Sequence, residues 1–201
     1  MVKRALDLVV SGVAIVLLAP VIAAIAAAVL LDSGSPVFYG QERVGLDFRR
    51  FRIWKFRSMR PSNSGSKITV RGDSRITRIG RVLRATKLDE LPQLWNVFVG
   101  QMSLVGPRPE VPEYVEMYRN RYEAILTVRP GITDLASIQF RDEEVILAAS
   151  ADPIEYYTSQ ILPAKLDLAD AYLRKRSLLL DMSIILRTLG AVVGPVGRDS
   201  S

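Results

Sequence analysis

The stretch Leu8-Val9-Val10-Ser11-Gly12-Val13-Ala14-Ile15-Val16-Leu17-Leu18-Ala19-Pro20-Val21-Ile22-Ala23-Ala24-Ile25-Ala26-Ala27-Ala28-Val29-Leu30-Leu31 contains no charged residue. Wound as a helix rising 1.5 Å per residue it is about 36 Å long, against about 30 Å for the hydrocarbon core of a bilayer. Lys3-Arg4 and Ala26-Ala27-Ala28 imitate the ends of a signal peptide, but the apolar run is longer than such peptides carry. An uncharged run of this length is rarely a buried soluble helix, so it reads as a membrane anchor. Pro20 removes a helix hydrogen bond mid-segment and predicts a kink or break. Lys3 and Arg4 precede the segment, and Arg43, Arg49, Arg50 and Arg52 follow it. Positive charge favours the cytoplasmic side, so both ends ask for the same side. Length alone fits a kinked spanning helix; the flanks fit a helix–break–helix that enters and returns through one leaflet.

Beyond the anchor, the 201-residue chain has no His and no Cys. That excludes a Ser-His-Asp triad, a thiolate nucleophile, disulfides and Cys- or His-based metal centres. Acid–base chemistry falls to carboxylates, Lys or Tyr, and any metal is a hard cation held by oxygen. The net charge of +6 is unevenly spread: residues 43–87 hold 14 basic residues against only Asp47 and Asp73, a block of +12. Such a block is either a solvated basic face or a partner for anions: nucleic acid, anionic lipid or a phosphorylated substrate.

Val37–Arg43 and Phe48–Met59 read as a β-hairpin with one greasy and one cationic face, broken by Gly45-Leu46-Asp47. Pro61–Gly72 is Ser/Gly-rich and reads as a loop. Ser74–Arg84 has helical periodicity, with Ile76, Ile79 and Leu83 on one face and Arg75, Arg78 and Arg81 on another. Thr86 is placed to cap a following helix running to about Phe98, with Asp89 three residues on. Gly106-Pro107-Arg108-Pro109 and Pro130-Gly131 are turns, and Pro112–Leu126 is a helix whose Tyr114, Tyr118 and Tyr122 stripe suits packing. Asp142–Ser150 and Pro153–Leu162 read as short helices, and Lys165 to about Val193 as one long helix, greasy enough in its distal part to lie on a membrane.

Asp89-Glu90, at or beside a helix start, is the most suggestive carboxylate pair. A helix N-terminus favours ionised carboxylates, and Arg84 and Lys87 push the same way. An ionised Asp is a nucleophile or a Mg²⁺ ligand; acidic residues in a first turn are also common for stability alone, worth about 0.3–1 kcal/mol. The surrounding Arg and Lys suit phosphate oxygens, and no P-loop pattern is present.

The string Lys87-Leu88-Asp89-Glu90-Leu91-Pro92-Gln93-Leu94-Trp95-Asn96-Val97, followed by Met102-Ser103-Leu104-Val105-Gly106-Pro107-Arg108-Pro109, closely resembles bacterial sugar transferases, the small monotopic phosphoglycosyl transferases. Gln41-Glu42-Arg43-Val44-Gly45, Lys55-Phe56-Arg57-Ser58-Met59, Asp73-Ser74-Arg75-Ile76-Thr77-Arg78-Ile79-Gly80 and Arg129-Pro130-Gly131-Ile132-Thr133 extend the likeness in order over nearly the whole chain. The resemblance implies transfer of a sugar-1-phosphate from a UDP-sugar to polyprenyl (undecaprenyl) phosphate, releasing UMP, through a covalent phosphosugar on the Asp that matches Asp89. It implies that Glu90 helps hold Mg²⁺ or accepts a proton, with Asp89 and Glu90 as the metal ligands. Arg84 matches a phosphate-binding Arg. Lys55 and Arg57 match the basic pair of the Lys55–Met59 block, as substrate-binding cations or as side chains snorkelling towards lipid headgroups. Pro107-Arg108-Pro109 matches the turn at the uridine end of the donor, and Arg43 lies in a matching block. The family's re-entrant anchor breaks at a proline that Pro20 matches, although Ala19 stands where members often carry Ser. A second departure is Asp134-Leu135-Ala136-Ser137 in place of Gly-Leu-Ala-Gln, followed by Phe140-Arg141-Asp142-Glu143-Glu144.

The expected architecture is α+β and mostly helical. Residues 1–33 form a re-entrant anchor. Residues 34–201 form a catalytic domain at the cytoplasmic face of a bacterial plasma membrane, with a small β-hairpin, amphipathic surface helices and a membrane-associated C-terminal helix. The expected partners are a UDP-sugar, polyprenyl phosphate and membrane lipid, with no nucleic acid; a homodimer is left open. The rival is a non-catalytic anchored module holding anionic lipid or nucleic acid through residues 43–87. It explains the aromatic–cation hairpin but gives no reason for Asp89-Glu90.

Overall fold

The computed structural model describes residues 2–60 and 72–193; most of the expected 61–72 loop lies outside them. Helix α1 spans Val2–Ser33 and is helical through Pro20, so the expected break is not an interruption of helical backbone. Among the described residues it is the one helix long and apolar enough to cross a membrane. Its middle is bare, with Val16 73% and Leu17 72% exposed, whereas both ends are tied to the rest of the chain. Near the start, Lys3 Nζ pairs with Asp181 at 2.5 Å, and Arg4 donates to the carbonyls of Val97 (2.6 Å) and Phe98 (2.8 Å). Asp7, buried, accepts from Ser103 Oγ at 2.8 Å and Leu104 N at 3.1 Å. At the far end Asp32 accepts from Ile79 N at 3.0 Å, and Ser33 and Gly34 accept from Arg57.

The expected hairpin forms. β1 (Phe38–Val44) and β2 (Arg50–Phe56) pair antiparallel, Gln41 opposite Ile53 and Tyr39 opposite Lys55. The faces divide by strand alternation: Arg50 and Arg52 are exposed, while Ile53 is buried and Lys55 shares its inward side. Two cations of the hairpin, Lys55 and the Arg43 that stands opposite Phe51, therefore sit on the greasy face. Helix α2 (Arg78–Ala85) begins later than the periodicity suggests, because Thr77 caps it by accepting from Gly80 N. Leu83 is buried, and Arg78 and Arg81 are exposed, as the pattern required. Thr86 does not cap a new helix. It closes α2, its hydroxyl donating to Val82 O at 2.8 Å, and a 3-10 turn at Leu88–Glu90 precedes α3 (Gln93–Phe98).

Further along, β3 (Ser103–Val105) and β4 (Gly131–Thr133) form a parallel pair, so Pro130-Gly131 leads into a strand. The two backbones lie too close for side chains: a Cβ on Gly131 would stand 2.1 Å from Gly106 N. The expected 112–126 helix divides at Tyr118 into α4 (Pro112–Met117) and α5 (Arg119–Ile125). Its tyrosines pack: Tyr122 is buried, Tyr118 donates to Thr158 O, and the Tyr114 ring lies tilted against Tyr157. After α6 (Leu135–Gln139), α7 (Glu143–Ala148) and α8 (Pro153–Tyr156), a π-turn at Tyr157–Ile161 leads into α9 (Leu162–Lys175) and then α10 (Leu178–Val193). The single long helix expected from Lys165 is two. Arg176 takes ψ 126°, and Ser177 Oγ accepts from Leu180 N, starting a second helix. The largest core cluster joins Val44, Tyr122, Ile125, Leu147, Leu162 and Leu166; a second, with Val29, Phe56 and Leu83, seats the end of α1.

Candidate active site

Lys87 carries the chain out of α2 with φ 57° and ψ 15°, a left-handed conformation costly for a residue with a Cβ. That twist aims the 3-10 turn Leu88–Glu90 at an open pocket of about 520 Å³. Leu88 and Leu91 hold the turn by packing on the cluster of Val29, Phe56 and Leu83, so apolar residues on either side fix the two carboxylates between them. Asn96 of α3, fully buried, donates to Arg52 O (2.8 Å) and accepts from Trp54 N (3.1 Å). It thereby fixes the strand that delivers Lys55.

Glu90 is held by two cations. Lys55 Nζ lies 2.7 Å from its Oε1, and the Arg108 fork reaches Oε1 at 2.5 Å and Oε2 at 3.4 Å. Burial alone would raise the Glu90 pKa, but Arg108 and Lys55 more than offset it and hold the carboxyl well below the usual range. Burial lowers the Lys55 pKa against the pull of Glu90. Asp89 differs. It is 4% exposed, and its Oδ1 has no hydrogen-bond partner among the described residues. Burial pushes its pKa up despite Lys55, Arg84 and Lys87. The sequence expectation of a carboxylate favoured in its ionised form is thus reversed at Asp89, because it lies in a buried 3-10 turn rather than at an exposed helix end.

Of the other predicted residues, Arg84 and Arg108 line the pocket. Arg84 pairs with Glu144 of α7. Pro107 and Pro109 are buried and brace the turn: Pro107 O accepts from Gly131 N at 3.0 Å and Pro109 O from Arg43 at 3.2 Å. Arg43 stands behind this turn, 2.6 Å from Glu110, and outside the pocket lining. Arg57 is also absent from the lining; it is buried against Ser33 and Gly34 at the end of α1. The +12 block is accordingly not one solvated face, since Arg43, Lys55, Arg57 and Arg84 each have an internal partner.

Three residues of the site were not expected there: the sequence marks Asp134 and Glu144 only as departures from the family pattern, and Lys165 only as a helix residue. Asp134 accepts from Arg108 N (3.0 Å) and Ser137 N (2.6 Å), tying the Pro-Arg-Pro turn to the start of α6. Its place three residues before Ser137 carries a capping signal. Glu144 and Lys165 line the pocket, but their assembly is tertiary and leaves no local signal.

Among the described residues no cluster of three or more acidic, His or Cys side chains is arranged to hold a metal alone. Asp89 and Glu90 supply two adjacent carboxylates, one with an unpartnered buried oxygen. That set suits Mg²⁺, which commonly takes one or two carboxylates and completes its shell with water and substrate phosphates.

The chain is 39% identical over 193 residues to a UDP-glucose:undecaprenyl-phosphate glucose-1-phosphate transferase of Klebsiella pneumoniae, covering 93% of this chain and 39% of that protein. It is 38% identical over 196 residues to a protein of the same name from Caulobacter vibrioides, covering 95% of this chain and 69% of that protein. It is 35% identical over 201 residues to a UDP-N-acetylgalactosamine-undecaprenyl-phosphate N-acetylgalactosaminephosphotransferase of Aeromonas hydrophila, covering 98% of this chain and 44% of that protein. The chain thus spans less than half the length of the Klebsiella and Aeromonas relatives. Residues 1–195 match the family model of bacterial sugar transferases, and the chain belongs to the bacterial sugar transferase family.

Proposed function

We propose that the chain is a phosphoglycosyl transferase that moves a sugar-1-phosphate from a UDP-sugar to polyprenyl (undecaprenyl) phosphate, the initiating step of surface-glycan assembly. The observation that carries this reading is the buried, unpartnered oxygen of Asp89, set in the field of Lys55, Arg84 and Lys87. The Asp89 carboxylate attacks the sugar-bearing phosphorus of the donor. An O–P bond forms to Asp89, the P–O bond to the uridine-side phosphate breaks, and UMP leaves with that oxygen. An oxygen of polyprenyl phosphate then attacks the same phosphorus and frees Asp89, giving polyprenyl-diphosphate sugar. Lys55, Arg84 and Arg108 reduce the repulsion between a carboxylate and an anionic diphosphate. Glu90, held well below the usual carboxylate range by Arg108 and Lys55, orients those two cations. Mg²⁺ held by Asp89 and Glu90 would add charge neutralisation at the diphosphate.

The same reading sets the anchor. Lys3, Arg4 and Asp7 at one end of α1, and Asp32 and Ser33 at the other, bind one catalytic body. A spanning helix separates its ends by about 30 Å of hydrocarbon. A helix bent at Pro20, its bare middle dipping into one leaflet from the cytoplasmic side, keeps both ends in place. The exposed Leu179, Met182, Leu186 and Leu189 of α10 add a second apolar surface for the membrane.

Purified protein in detergent, given polyprenyl phosphate and a panel of UDP-sugars, is expected to release UMP with at least one donor. Chelation of Mg²⁺ should abolish that release and re-addition restore it; silence across the panel rejects the reading. Topology has a separate check, aided by a chain without native cysteine. Val2→Cys and Tyr39→Cys should both react with an impermeant thiol reagent from the cytoplasmic side only. Labelling from opposite sides rejects the re-entrant anchor.

A further inference from the structure

The pocket is lined by six basic and four acidic side chains. Asp89 and Glu90 belong to the reaction centre. The other two acids, Glu143 and Glu144, open α7 and reach opposite walls, Glu144 to Arg84 of α2 and Glu143 to Lys165 of α9. Arg84 is the cation that the proposed reaction assigns to substrate phosphate, so in the free protein its charge is already answered by a carboxylate. Its fork is not saturated, because Nε is buried without a hydrogen-bond partner among the described residues and NH1 has only Met59 Sδ at 3.6 Å. The Glu144 side chain is 38% exposed and Arg84 21% exposed, so the contact is open to solvent in part and an incoming anion can compete for it. Arg binds phosphate and carboxylate alike through its fork, and a partly exposed ion pair is worth little on its own, so a phosphate can take the place of Glu144.

We propose that Glu144 is the resident anion of a phosphate subsite at Arg84, and that a substrate phosphate must displace it to bind. The assignment of Arg84 to phosphate rests on the proposed function; the competition itself does not require turnover. Glu144 then sets affinity rather than the chemical step. It lowers the occupancy of Arg84 by weakly held anions such as inorganic phosphate, and only a ligand with further contacts in the pocket pushes it aside. The acidic run Asp142-Glu143-Glu144, which departs from the pattern that the resemblance suggested, thereby acquires a role.

Glu144→Gln removes the charge and keeps the size. In the full chain it is expected to tighten binding of inorganic pyrophosphate, measured by isothermal titration calorimetry, about 3–10-fold. The KM for the UDP-sugar should fall by a similar factor, with kcat nearly unchanged. Glu116→Gln, which removes the same charge from an exposed helix outside the pocket, should change neither. The proposal is overturned if Glu144→Gln leaves pyrophosphate affinity unchanged or weaker, or if Glu116→Gln tightens it equally. The pyrophosphate measurement stands even if no UDP-sugar is turned over, so failure of the transferase reading and failure of the competition are separately visible.

Discussion

Asp89→Asn is expected to lower UMP release by about 10⁴-fold or more and, at neutral pH, to raise the melting temperature. The first effect follows from removing the attacking oxygen; loss of a nucleophile elsewhere costs on the order of 10⁶ in kcat, and an amide cannot form the O–P bond. The second follows from burial. The folded-state pKa of Asp89 is raised above its ordinary value by burial. Relative to a neutral residue, its contribution is therefore most favourable below pH 3.8 and is lost as pH rises through the folded pKa. At neutral pH the native state pays for an ionised, poorly solvated carboxylate with an unpartnered oxygen, and Asn removes that charge. About 1 kcal/mol corresponds to about 2–4 °C in a chain of this size. The wild-type activity should carry an acid limb displaced above the ordinary Asp range, since only the ionised form attacks. Membrane association should persist in Asp89→Asn, because α1 and α10 are untouched. Full turnover in this variant would reject the covalent route, and a lowered melting temperature would reject the burial argument.

The sequence was readable where the decisive interactions are local. The hairpin follows from the alternation through Phe51, Ile53 and Lys55, and the tyrosine stripe from 3.6-residue periodicity. The proximity of Asp89 and Glu90 to Arg84 and Lys87 follows from their place in one short string. It misled where two local solutions compete. Thr86 has the chemistry of an N-cap, but the left-handed Lys87 turns it into the end of α2. Ser177 lacks any Pro or Gly signal beside it, yet it divides the expected long helix into α9 and α10. The β3–β4 pair joins three-residue strands separated by two helices, so no run is long enough to announce it. Charge count could not tell Lys55, which serves the pocket, from Arg57 two residues on, which fastens the end of α1. Strand alternation would put both on one face; they part because β2 ends at Phe56 and Arg57 lies beyond it. Glu144 and Asp134 acquire partners through tertiary packing alone.

Arg108→Ala should lower kcat/KM by about 10²–10³-fold and shift acid unfolding to higher pH. Glu90 depends on two cations for its charge, and Arg108 supplies the fork, with contacts at 2.5 and 3.4 Å. Removing one member of a buried pair costs about 3–5 kcal/mol because the remaining charge is stranded. Here the side chain of Arg108 is 33% exposed and Lys55 remains, so about 2 kcal/mol or somewhat less is the reasonable expectation. The pH dependence has a definite sign. The folded-state pKa of Glu90 is lowered below 4.5, so its stabilising contribution is complete above that value and is lost as pH falls through the folded pKa. Without Arg108 the folded pKa rises, and the acid limb of the stability curve begins at higher pH. Arg108→Lys keeps the charge without the fork; it should recover most of the acid stability but only part of the activity, because Lys55 and Glu90 are then less firmly aimed at the diphosphate. Melting curves between pH 3 and 8 with parallel kinetics separate the two contributions. An unchanged acid limb in Arg108→Ala would mean that Lys55 alone holds Glu90 ionised, and would confine Arg108 to substrate binding.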